Sequence, residues 1–257
     1  RYTLQAKLES KNFKIIDMYK KTYFKIFKNK KLKIGYCPKL FTSLTLKRIF
    51  SKTSLNTIPI EENFIDKIRT KKISKKPKKI FSLSDKVAGQ SPKKKIEILI
   101  KNLKKKKLDF MFISAPENVA WLLNLRGFDS LYSPQVNCHA ILSQSGEISL
   151  FIDRRKVERA IRKKLNFVKI IDIKYLSSFL GILNKINISV DVASCSQFYL
   201  DILKKNNNIF YKKDLIYLLK AKKNKTEINN MKKAHIEDGL ALTRFIFWIK
   251  ENFNKKK

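Results

Sequence analysis

An α/β fold with mixed sheets is predicted for this chain by three observations. Short β-like runs alternate with helical ones through the first eighty residues, two apolar runs farther on are joined by a turn tetrapeptide, and buried-strand signals then alternate with amphipathic helices. With 257 residues, 44% of them hydrophobic, the chain has the material for one large or two modest cores.

The opening Arg1-Tyr2-Thr3-Leu4-Gln5-Ala6 alternates like the middle of a strand, and it has no methionine before it. The expectation is a strand cut at its upstream end. β-like and helical runs then alternate at 13–17, 22–28, 32–36, 42–51 and 55–59, so residues 1–85 read as the C-terminal part of a first domain. Between 68 and 92 the apolar periodicity gives way to Lys, Ser, Pro and Gly, ending at Ala88-Gly89-Gln90-Ser91-Pro92. A second domain is expected over 86–222.

That domain opens with a helix capped by Ser91, with Pro92 in the first turn and Ile96, Leu99, Ile100 and Leu103 on one face. A buried strand is predicted at 108–114 and a short helix at 116–124. The strands at 136–143 and 148–153 flank Gln144-Ser145-Gly146-Glu147, a hairpin signal. Asp153 is placed to cap a helix running through Lys163. A strand at 168–171, a helix at 176–183, a strand at 186–191 and helices at 197–204 and 214–220 complete the domain. From Asn224 a long helix begins, capped at Asn224 or Thr226, with Ile228, Met231, His235, Leu242, Phe245 and Ile249 spaced for one buried face. No other segment offers a surface for that face, so residues 223–257 read as the opening helix of a further domain.

The formal charge is +37, from 58 Lys and Arg against 21 Asp and Glu. Such an excess raises nucleic acid or anionic membrane as a partner. The runs, however, are plain lysine, without the Arg and aromatic interleaving that reads phosphates and bases. The runs at 75–79 and 104–107 fall in a linker and at a helix end, where solvated charge is the ordinary outcome. Nucleic acid is therefore not the expected partner, and the charge serves solubility at the cost of self-repulsion at low salt. Cys37, Cys138 and Cys195 lack C-x-x-C spacing and read as small buried residues in a reducing cytoplasm. No apolar run approaches the ~20 residues of a membrane span.

Chemistry is sparse. His139 reads as a histidine satisfied beside a sheet and His235 as a structural one, and neither has a partner at metal-ligand spacing. There is no G-x-S-x-G elbow, no G-x-G-x-x-G and no Walker loop. One segment stands apart, residues 117–129, where an apolar helix runs into a charged loop. Arg126 and Asp129 could pair to fix that loop, or the loop could border a cleft in which Arg126 meets a substrate or partner carboxylate.

At this segment the chain resembles the three-domain aminopeptidase P family, the Xaa-Pro aminopeptidases. Asn118 to Asp129 follows N-I-A-W-L-L-N-I-R-G-x-D, with Ser133-Pro134 after it. The opening Arg1 to Ala6 resembles D-G-R-Y-x-x-Q-A, and Glu62-Asn63-Phe64-Ile65-Asp66 resembles N-L-V-D. Ala88-Gly89-Gln90-Ser91 with Lys95 resembles A-G-x-S-x-x-x-K, and Leu150-Phe151-Ile152-Asp153 with Lys156 resembles L-F-I-D-x-x-K. Lys220 to Glu227 and Met231 to Gly239 are similar to K-A-x-K-N-x-x-E and M-R-x-A-H-I-x-D-G.

The resemblance implies two creatinase N-terminal-like mixed-sheet domains, the first truncated, followed by the first helix of a missing pita-bread catalytic domain. It implies removal of an N-terminal residue preceding proline by a hydroxide bridging two divalent metals, typically manganese, held by two Asp, one His and two Glu. The chain stops before the D-S-G, G-H-G and E-P-G elements that carry those ligands, so no metal or catalytic residue is transferred to it. The first two domains would enclose the cleft, restrict it to short peptides with proline second, and take part in a homodimer. Asn124, Arg126 and Asp129 are then the candidates for facing the cleft or a neighbouring domain. Two other classes compete: a metal-free pseudo-enzyme that binds peptide or protein, and a basic nucleic-acid binder.

Overall fold

The computed structural model describes residues 2–16, 32–51, 55–69 and 77–253, in two compact units. One comprises residues 1–74 with 192–201, the other residues 75–191 with 202–257.

In the first unit, β1 (Lys33–Tyr36) and β2 (Asn56–Pro59) pair in parallel, with Lys33 opposite Asn56. Between them in sequence lies α2 (Ser43–Phe50), which starts where the Thr42 hydroxyl accepts the Thr45 N–H. Asn63 caps the short α3 (Phe64–Ile68) in the same way. Residues 192–201 join this unit through Ser196, which bridges Thr42, and Gln197, whose N–H reaches the Phe41 carbonyl at 2.7 Å.

Two expectations fail here. The opening is a helix, α1 (Tyr2–Glu9), not a strand. Leu, Gln, Ala, Lys and Glu are strong helix formers, Gln5 bonds Glu9 one turn on at 2.9 Å, and no residue of α1 is buried, so no sheet face enforces the two-residue alternation. Residues 13–16 are likewise outside any strand. The expected run at 22–28 lies outside the described residues.

The second unit is built on a six-stranded mixed sheet. Its strands are β4 (Phe110–Ile113), β6 (Cys138–Ser143), β7 (Ile148–Ile152), β8 (Val168–Asp172), β9 (Asn187–Val190) and β10 (Asn208–Tyr211), in the order β10-β9-β4-β6-β7-β8. The pairs β4–β6 and β6–β7 are antiparallel, and the other neighbours are parallel. The β6–β7 hairpin turns at Gly146, whose φ of +99° needs a residue without a Cβ. A separate antiparallel pair joins β3 (Phe81–Ser82) to β5 (Leu125–Arg126).

The helices of this unit follow their caps. Ser91 starts α5 (Pro92–Lys105), whose buried row of Lys95, Ile96, Leu99 and Leu103 packs into a core shared with Ile113, Leu122, Leu142 and Leu150. Each fully buried aliphatic side chain there contributes roughly 1.5–3 kcal/mol. Asp153 caps only a three-residue 3-10 turn, and α7 (Arg159–Lys164) begins afresh after it, so the predicted helix is broken. The remaining helices are α4 (Asp85–Ala88), α6 (Pro116–Leu122), α8 (Leu176–Ile182), α10 (Leu215–Ala221) and α11 (Lys225–Phe253), while α9 (Gln197–Lys204) starts in the first unit and ends in this one. On α11 no residue is buried, in keeping with an apolar face for which no other segment of the chain offers a partner, and His235, read as structural, is exposed. No described helix is long and apolar enough to cross a membrane.

Candidate functional site

The loop singled out in the sequence is held from below by α6 and from the side by β3. Helix α6 ends where Leu123 and Asn124 turn the chain, and Asn124 takes a left-handed conformation, φ +54°, which asparagine tolerates better than most residues. Its side chain is buried and makes the turn rigid. The Asn124 amide donates to the Gln90 carbonyl at 3.0 Å, and its Oδ1 accepts the Lys95 ammonium at 2.7 Å.

Lys95 is the centre of this arrangement. From the buried row of α5 it also donates to the Trp121 carbonyl at 2.7 Å, capping the last turn of α6, and its Nζ stands 4.0 Å from the centroid of the Trp121 ring. Burial lowers its pKa to about 8, opposed by Glu227 and aided by the positive charge of Arg126. Residues 117–129 alone do not point to Lys95, whose place in the helical row with Leu99 and Leu103 is the sequence signal of a buried charge.

Arg126 sits in β5, opposite Phe81, and is half-buried. Its Nη1 donates to the carbonyls of Leu125 at 2.7 Å and Ala120 at 3.4 Å. Burial lowers its pKa, and Glu227 opposes the shift. The expected pair with Asp129 does not form. Asp129 instead takes both carboxylate oxygens to the Lys156 ammonium at 2.7 Å, with each side chain 11% exposed, and accepts the Asn137 N–H as well. Lys156 lies twenty-seven residues away in sequence, in the 3-10 turn after β7, beyond the reach of local reasoning.

Asn124 and Arg126 line an open cavity of about 570 Å³ with Lys95, Trp121, Lys220 and Glu227; Asp129 is not among its walls. A second polar chain supports one side. Lys220 donates to Asn118 Oδ1 at 2.7 Å, Asn118 donates to Asp214 at 2.7 Å, and the Asp214 N–H donates to Asp191 at 2.9 Å. Burial raises the Asp214 pKa, while the Asn118 and Ile216 donors hold it down. His139 lies elsewhere, in β6, its Nδ1 2.9 Å from the Ser114 carbonyl, as expected of a satisfied sheet histidine. None of the three cysteines forms a disulfide; Cys138 and Cys195 are buried, whereas Cys37 is only half-buried. Among the described residues no three His, Cys, Asp or Glu side chains converge to hold a metal ion.

Comparison with known proteins places this architecture. The family model described as Creatinase/Prolidase N-terminal domain matches residues 71–227. Xaa-Pro aminopeptidase 1 of Dictyostelium discoideum is 32% identical over 202 residues, covering 76% of this chain and 32% of that protein. Xaa-Pro aminopeptidase ApepP of Drosophila melanogaster is 29% identical over 231 residues, covering 86% of this chain and 38% of that protein. Among solved structures, the X-prolyl aminopeptidase of Caenorhabditis elegans, described as a cytosolic enzyme with a di-nuclear active site, superposes with a TM-score of 0.78 at 25% identity. That match covers 88% of this chain and 38% of that one. The chain thus spans about a third of the length of the curated relatives it matches.

Proposed function

The chain belongs to the creatinase/prolidase N-terminal domain family, and on that premise we propose that it is the non-catalytic front portion of a metal-dependent Xaa-Pro aminopeptidase. Such an enzyme removes the N-terminal residue that precedes proline. The observation that carries this reading is the superposition of 88% of this chain on 38% of an X-prolyl aminopeptidase. In this role the two units enclose the cleft of a catalytic domain, limit it to short peptides and support a homodimer.

Asn124 and Arg126, as walls of an open cavity, are the residues assigned to the cleft or to a neighbouring domain. Asp129 serves them indirectly by anchoring the loop to Lys156. A pair of divalent metals, manganese being the expectation, would supply the activated water. The described residues do not fit such a centre, since their carboxylates and imidazoles are dispersed. The expected compartment is the cytoplasm, which suits three cysteines outside any disulfide.

The test is hydrolysis of an Xaa-Pro peptide with added manganese, by this chain and by a protein in which a catalytic domain follows Lys257. The longer protein should cleave and this chain should not. Cleavage by this chain alone overturns the assignment. Absence of any open frame encoding metal ligands after Lys257 favours the pseudo-enzyme reading instead.

A further inference from the structure

The cavity beside Trp121 carries a net positive charge among the described residues. Lys95, Arg126, Lys220 and Lys223 line it, against Glu117 and Glu227. The four cations outnumber the two carboxylates by two, and each carboxylate also accepts a neutral donor. Glu117 Oε1 accepts the Tyr217 hydroxyl at 2.9 Å, and Glu227 Oε2 accepts the Asn224 N–H at 2.9 Å. None of the four cations takes part in a salt bridge among the described residues. They are satisfied by neutral oxygens: the Trp121 carbonyl and Asn124 for Lys95, Asn118 for Lys220, and the Lys220 carbonyl for Lys223.

Arg126 is held for recognition. Nη1 is tied to two carbonyls, which fixes the plane of the group, while Nε and Nη2 have no protein partner among the described residues. A planar, anchored fork with two free donors matches a carboxylate. The remaining walls are mostly apolar, with Leu83, Trp121, Pro134 and Met231 among them. A polyphosphate would call for donors on every side, whereas mixed walls suit an anion with an apolar body. The volume, about 570 Å³, is within the range of small-molecule sites. We propose that this cavity binds a small amphiphilic carboxylate, its head against Arg126 and Lys223 and its body along Trp121 and Met231.

The inference does not depend on the peptidase reading, because neither metal nor cleavage enters its test. Calorimetric titration of the 257-residue chain with hippurate, and with its neutral amide hippuramide, probes the charge directly. Hippurate should bind, more tightly at low salt, and hippuramide should bind about tenfold more weakly or not at all. Arg126→Lys, which keeps the charge and loses the fork, should weaken hippurate several-fold. Lys223→Ala should weaken it by a smaller factor with an unchanged melting temperature, since that side chain is exposed. Lys104→Ala, at the exposed end of α5, should change nothing. Equal binding of acid and amide, no binding of either, or an equal loss in Lys104→Ala would each overturn the proposal, the last by revealing only general attraction to a +37 chain.

Discussion

Lys95 stands in the buried row of a helix that otherwise carries Ile96, Leu99 and Leu103, and two hydrogen bonds, with the Trp121 ring beside them, make that position tolerable for an ammonium. Lys95→Met should fit the volume but leave Asn124 Oδ1 and the Trp121 carbonyl without their donor, a loss of about 1–3 kcal/mol by urea unfolding. The pH dependence has a definite sign. Burial lowers the folded pKa to about 8 from the ordinary 10.5, so between those values the unfolded chain binds more protons than the folded one. This group therefore adds stability as pH rises from about 8 towards 10.5, and the difference between the wild-type and Lys95→Met profiles should grow across that window. Profiles that run parallel there would show that Lys95 is not buried as described. The Asp129–Lys156 pair gives a second expectation. With both side chains 11% exposed, Asp129→Asn or Lys156→Met alone should cost about 3 kcal/mol, by stranding the other charge, and the double variant should recover part of it. Additive losses would mean that the two charges do not feel each other. The sequence made the loop's charges visible but not their partners, because Arg126 and Asp129 are neighbours only along the chain. The fold gives Asp129 a lysine from after β7 and gives Arg126 backbone carbonyls.

Among the elements, the start of α11 shows how a turn can be read locally and still hide its purpose. Asn224 and Glu227 form a reciprocal cap, each side chain accepting the other's backbone N–H at 2.9 Å, a pattern evident from spacing alone. Spacing does not reveal that the Asn224 amide also donates to the Ala88 carbonyl at 2.9 Å, at the end of α4, 136 residues earlier. Gly89 makes that contact possible. It has a φ of +72°, and a Cβ there would overlap the Asn224 carboxamide. Gly89→Ala should therefore incur both the left-handed penalty and the loss of a cap, together about 2–3 kcal/mol, with amide exchange accelerated in the first turn of α11. Unchanged exchange in that turn would dissociate Gly89 from the cap. Strongly periodic, well-capped segments such as α5 and the β6–β7 hairpin were legible because pattern, cap and turn agree. The misread opening, α1, has alternation without burial, and β10 went unseen because Asn208–Tyr211 is a short edge strand flanked by polar residues.

At the scale of the whole molecule, the first unit draws on residues 192–201 as well as on 1–74, so it is not contained in any single stretch of sequence. A reading that moves along the chain segment by segment has no way to express such a return. Charge acts at this scale too. An excess of 37 positive charges is spread over a chain whose described ion pairs are few and mostly exposed, so the folded state bears a repulsion that the expanded state relieves. Salt screens that repulsion, with a Debye length that falls from about 30 Å at 0.01 M to about 8 Å at 0.15 M. The melting temperature should accordingly rise by several degrees as sodium chloride is increased over that range, by scanning calorimetry at neutral pH. The increment should shrink when exposed lysines of the 104–107 run are changed to glutamine, since each change removes charge without touching the core. A melting temperature that is flat or falling with salt would mean that local pairing, not the net field, sets the electrostatic cost of folding.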